Sequence, residues 1–165
     1  MPAEDLSRFK VFSRVPRGKL AQLVAMGSEM TFQDGDVLFR QGDPAGYLYA
    51  VLEGEVELQV SLAGPEAASG KKRFLVVETI GPDQDLGWSA LVSPYLWSAT
   101  ARARGACRCL VLSAPDFRVM MDQDPELGYA VSKGLNEVIS QRLQRRTQKL
   151  LRLWELLNKQ RSSQG

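Results

Sequence analysis

The side chains able to do chemistry are few. No histidine occurs among the 165 residues, which removes Ser-His and Cys-His nucleophile pairs, histidine general bases and every histidine-containing zinc or haem site. The cysteines, Cys107 and Cys109, stand two apart, so on a strand they point the same way and are ill placed for a disulfide. With no other soft ligand nearby they make a poor metal site, and they read as small buried side chains. Asp34, Asp36 and Asp43 lie close together, yet each adjoins a glycine, which is turn chemistry. The sequence therefore assigns no catalytic residue and no metal ligand, and it reads as a non-enzyme.

Bulk properties narrow the class further. The length suits one domain, and 44% hydrophobic with 24% charged residues is ordinary globular composition. A net charge of +2 is too balanced to argue for nucleic acid or an acidic membrane. No apolar run approaches the length of a membrane span, and the start, MPAEDLSRFK, lacks the apolar stretch of a signal peptide. The expectation is a soluble cytoplasmic protein without membrane insertion. Met1 at the start and a tapering polar tail read as a whole small protein.

The elements that must position any site fall into four stretches. Residues 1–28 read as helical, with Pro16 at a helix start, Leu20, Leu23 and Val24 as its stripe and Gly27 at its stop. Residues 29–113 carry short Val, Leu, Phe and Tyr runs punctuated by Gly-Asp and Gly-Pro pairs, which fits an antiparallel sandwich or barrel. The clearest strand is Glu55 to Leu62, with Val56, Leu58, Val60 and Leu62 on one face, and Gly54 before it supplies the positive φ of a tight hairpin. Residues 63–73 read as an exposed loop ending in the basic triplet Lys71, Lys72 and Arg73. Residues 114–159 return to helix, with starts at Ser113-Ala114-Pro115-Asp116 and Asp124-Pro125-Glu126 and an end near Asn158. Residues 160–165 read as a frayed tail.

The last helix carries a heptad seam. Ile139, Leu143, Arg146, Leu150, Leu153 and Leu157 alternate spacings of four and three, an a/d pattern broken only by Arg146. A helix projecting past a small β domain has little to bury this seam against except a second copy, so the expectation is a homodimer through this helix. The competing expectation folds the helix back on its own β domain. Arg142, Arg145, Lys149 and Arg152 read as a solvated outer face.

Two longer stretches make the architecture specific. FQDGDVLFRQGDPAGYLYAVLEGEVEL resembles the first half of a cyclic nucleotide-binding domain of the cAMP receptor/FNR type, with Gly35-Asp36, Gly42-Asp43, Leu48-Tyr49 and Gly54 at that family's turn and core positions. IGPDQDLGWSALVSPYLWSATARA resembles its phosphate-binding cassette, in which a short helix after a glycine faces a strand. The resemblance covers about residues 10–158. It implies a mainly β fold with α: an antiparallel β-roll or jelly roll flanked by N-terminal helices, a short cassette helix and a long C-terminal dimerisation helix. It further implies a regulatory, ligand-sensing role in signal transduction, with a cyclic nucleotide (cAMP or cGMP) or another small ligand bound at Leu86, Gly87, Trp88, Ser89, Ala90 and Leu91 and at Trp97, Ser98, Ala99 and Thr100. Arg146 and Thr147 align with the seam position that contacts the base across the dimer. Such a cassette holds a cyclic phosphate on backbone N–H groups at the short helix, completed by a buried arginine and a ribose-binding glutamate.

Both charged positions are changed. Trp88 stands where the family's ribose-binding glutamate follows the glycine, and Trp97 where its phosphate-binding arginine precedes Ser98. Losing a buried bidentate contact costs about 3–5 kcal/mol, and the ribose contact adds about 1–2 kcal/mol. Cyclic nucleotide binding by the family's usual contacts is not expected. Two readings follow: a sensor that takes a nucleotide or other small ligand through altered contacts, or a ligand-free interaction module whose ancestral pocket is filled by Trp88 and Trp97. Arg146 keeps the first open by offering a cation from each subunit. The partner it regulates is not legible. Too few residues follow Asn158 for a helix-turn-helix, so no direct DNA binding is expected.

Overall fold

The computed structural model describes residues 2–62 and 73–162. Two short N-terminal pieces, α1 (Ala3–Leu6) and a 3-10 turn (Lys10–Phe12), lead into α2 (Arg17–Met26). The strands are β1 (Ser28–Phe32), β2 (Val37–Phe39), β3 (Tyr47–Leu62), β4 (Arg73–Ile80), β5 (Asp85–Leu86) and β6 (Thr100–Ser113), with a 3-10 cassette helix (Trp88–Leu91) before β6. Helices α3 (Ala114–Gln123) and α4 (Pro125–Ser162) complete the chain. The pairing is antiparallel throughout, in the order β1-β6-β3-β4, with β2 also on β6 and β5 also on β3. This is the β-roll with flanking helices that the sequence implied.

Strand alternation divides the chain between two cores. Along β3, Tyr49 and Val51 enter the roll, while Leu48 and Ala50 face the helices. Along β6, Cys107, Cys109 and Val111 go inward, and Leu110 and Leu112 outward. The cysteines are free, buried thiols on one strand face. The helical core adds Phe9, Phe12, Leu20, Leu23, Phe117, Leu127 and Val131.

Several local expectations are corrected. Gly54 has its positive φ of 77°, but inside β3 rather than at a hairpin, because β3 begins at Tyr47. The register against β6 slips between Val51 and Glu53 and again between Glu53 and Glu55, and a Cβ on Gly54 would meet the Ala106 carbonyl at 2.3 Å. Pro16 stands at the start of α2 as expected, but α4 stays helical to Ser162 instead of ending near Asn158. Residues 63–72, with Lys71 and Lys72, lie outside the described residues, as do residues 163–165 of the tail; Arg73 belongs to β4. No described helix is long and apolar enough to cross a membrane.

Gly134 lets α4 lie directly on the 3-10 turn, since a Cβ there would fall 2.4 Å from the Lys10 carbonyl. Asp124 caps α4 by accepting from the Leu127 N–H at 3.1 Å, and Lys19 reaches Asp124 at 2.7 Å and Glu126 at 2.6 Å. These contacts clamp the first half of α4 to the N-terminal helices. Beyond Arg142 the described side chains of α4 through Glu155 and Leu156 are exposed.

Candidate functional site

The cassette is a tight turn built on one glycine. Gly87 has φ 94°, and a Cβ on it would meet the Tyr47 carbonyl at 2.8 Å and the Trp97 ring at 3.3 Å. Only glycine suits both the dihedral and the space. The cassette helix then runs from Trp88, with Leu86 and Ala90 fully buried, Ser89 buried and Leu91 half-buried. From α3, Arg118 donates to the Ala90 carbonyl and lies 4.3 Å from the Tyr95 ring centroid. That arginine ties the cassette to α3 at both its helix and its following loop, a cation–π contact and hydrogen bond that no sequence signal announced.

The two tryptophans part company. Trp97 is 5% exposed and lies in the roll interior, stacked on Phe39 with centroids 3.8 Å apart and planes 12° apart. Tyr49 lies tilted beside both rings, 5.6 Å from Phe39 and 6.4 Å from Trp97. Trp88 is half-buried and packs against the helical core on the opposite side of the sheet. The loop carrying Trp97 is laced to the Gly42 turn: Gly42 N–H donates to the Trp97 carbonyl at 2.9 Å and Trp97 N–H to Asp43 at 3.0 Å. Ala99 and Thr100 are buried, and Thr100 Oγ1 accepts from the Gln41 N–H at 3.0 Å, whereas Ser98 is exposed.

A second polar centre lies where α4 crosses the sheet edge. Arg142, which the sequence placed on a solvated face, is 9% exposed and donates to the Asp85 carbonyl. Its Nε lies 3.7 Å from Glu78, and Arg145 approaches the other oxygen of Glu78 at 3.6 Å. Asp85 is 3% exposed; its Oδ2 accepts from the Val11 N–H at 3.3 Å, while its Oδ1 and Glu78 Oε2 have no hydrogen-bond partner. Burial raises the Asp85 carboxyl above its ordinary pKa, partly offset by Arg142, and burial lowers that of Arg142. A cavity of about 60 Å³ opens between these groups, Lys10 and Gln141.

The seam residues do not converge on the cassette within one chain. Ile139 is half-buried, Leu143, Leu150 and Leu153 are exposed, and nothing of the Leu157 side chain falls among the described residues. Arg146 is exposed beside β4, and Thr147 spends its hydroxyl on the Leu143 carbonyl at 2.9 Å. Glu137, on the same helix, is ion-paired with Arg14.

Fold, cassette and glycine framework together define a cyclic nucleotide-binding module. Residues 29–124 match the cyclic nucleotide-binding domain family, and the chain belongs to it. It is 28% identical over 115 residues to a cAMP-dependent protein kinase regulatory subunit of Dictyostelium discoideum, covering 69% of this chain and 34% of that protein. It is 25% identical over 142 residues to a CRP-like cAMP-activated global transcriptional regulator of Mycobacterium tuberculosis, covering 86% and 58%. A cyclic nucleotide-binding domain from Methylobacillus flagellatus shares its fold with a TM-score of 0.74 at 20% identity, covering 91% and 80%. The chain spans 30% to 58% of the length of these and other curated relatives.

Proposed function

We propose that this chain is a cytoplasmic, non-enzymatic regulatory domain that works as a homodimer through α4 and does not take a cyclic nucleotide inside its roll. The observation that carries the reading is Trp97, stacked on Phe39 in the roll interior. In the resemblance, this is the position of the phosphate-binding arginine. An indole stacked on Phe39, with Tyr49 against both rings, removes both the cation and the volume a cyclic phosphate needs. Trp88 supplies no ribose acceptor and is spent on the helical core. Any small ligand this domain senses therefore uses a different contact set. The names of its relatives tie them to cAMP and to control of a kinase or of transcription, so regulation is the shared theme and the ligand contacts are what differ here.

The dimer is supported by the apolar seam. Leu143 is 64%, Leu150 67% and Trp154 64% exposed in the single chain, an area of large side chains that a second copy of the same helix would cover. Sedimentation should give twice the chain mass, and Leu150→Glu with Leu153→Glu should give the monomer with unchanged circular dichroism of the roll. A monomeric parent chain would defeat the dimer.

Thermal unfolding in cAMP and cGMP tests the closed roll. A ligand at about 100 times its Kd stabilises by about 2.7 kcal/mol. No shift is expected with either nucleotide, and a shift abolished by Gly87→Val would overturn the reading.

A further inference from the structure

Between β4 and α4, next to the Arg142 centre, lies a groove of about 140 Å³ walled by Arg142, Arg145, Arg146 and Lys149, with Val77 and Glu78 opposite. The spacing of these basic residues puts them on one helical face. They meet a single carboxylate, and Glu78 is already shared between Arg142 and Arg145. No lining acid is left for Arg146 and Lys149. Like charges three and four apart on a helix repel, a standing cost that a bound anion removes.

The strand side is shaped as well. The β3–β4 register pairs Leu58 with Glu78 and then Gln59 with Val76, so Val77 is an extra residue, a bulge. In a regular strand Val77 and Glu78 would face opposite sides. At this bulge both line the groove, Val77 half-buried and also packed against the roll core, beside the groove's one acid.

We infer that this groove binds a phosphorylated small molecule carrying two or more negative charges, held by Arg145, Arg146 and Lys149 with its apolar part on Val77. The inference rests on the closed-roll reading and names the contact set that replaces the cassette. Doubly charged phosphates suit it better than a cyclic monophosphate, because more than one cation is left over after Glu78 is neutralised. The position also gives the ligand something to regulate. It would bridge the roll to α4 at Arg146, the residue that interrupts the dimer seam, so binding and seam packing would be linked in both directions.

Calorimetric titration of the full chain with inorganic pyrophosphate, ADP and cAMP tests this. Pyrophosphate and ADP should bind, more weakly as salt rises, while cAMP should not. Arg146→Glu with Lys149→Glu should weaken both by about tenfold or more, as loss of two charge-assisted contacts implies. Lys149→Glu alone, which lies off the seam, should weaken them in part with sedimentation unchanged. Absence of pyrophosphate and ADP binding, or binding that survives the double substitution, overturns the groove and leaves the closed roll standing. Binding of cAMP that survives the double substitution and is lost on Gly87→Val overturns the closed roll as well.

Discussion

The roll interior and the α4 crossing are both buried, and they solve burial in opposite ways. Inside the roll, Trp97 stacks on Phe39 with Tyr49 tilted against both, among apolar neighbours. At the crossing, Arg142, Glu78 and Asp85 share an enclosed space with two carboxylate oxygens left without hydrogen-bond donors. The first region gains from apolar area and dispersion. The second gives up stability to desolvation, and its pairing is incomplete. In a ligand-binding family the interior is where charge is expected. Here buried charge stands at the junction between roll and helix.

The largest effect should come from emptying the roll. Trp97→Ala removes the ring stacked on Phe39 and should cost about 3–5 kcal/mol in equilibrium denaturation. A loss below about 1 kcal/mol would mean that the interior collapses freely and that the contrast is overstated.

Next comes Arg142. Arg142→Met leaves Glu78 without its buried neighbour and the Asp85 carbonyl without its donor, a loss of about 3 kcal/mol. Adding Glu78→Met should recover part of it, because both members of the pair are then gone. Full additivity of the two substitutions would show that the pair does not act as a unit.

The smallest effect sharpens the comparison by pH. Asp85 has its pKa raised by burial, so above that value the native state carries a charge it disfavours. Stability contributed by its protonation is present at low pH and lost as pH rises through the raised folded value. Asp85→Asn should therefore be at least as stable as the parent at neutral pH, and the gap should close on acidification toward about 3.9. The amide oxygen can still accept from Val11 N–H. A parent chain more stable than Asp85→Asn at neutral pH would mean that Arg142 outweighs burial.

Much of this was readable from the chain. Burial of Val56 and Leu58 in alternation, glycine turns at Gly35 and Gly42, the Leu20–Leu23 stripe and a long helix at α4 are local patterns that recur in the structure, whereas Gly54 falls inside a strand. Trp88 and Trp97 could also be singled out through the resemblance, which implies charged residues at those positions. Their separation could not: one turns into the roll and the other onto the helical core, although both flank the same cassette. Arg142 was equally hidden, because Arg142, Arg145, Arg146 and Lys149 look alike in a helix. Only the line along which α4 crosses β4 and β5 encloses Arg142 and leaves Arg146 exposed.

Sequence by itself determined the elements and the family, since these depend on residue type and short-range period. Tertiary structure decided which large side chain fills the roll and which cation is buried. Those outcomes depend on how strands and helices far apart in the chain meet, and burial is a property of that meeting.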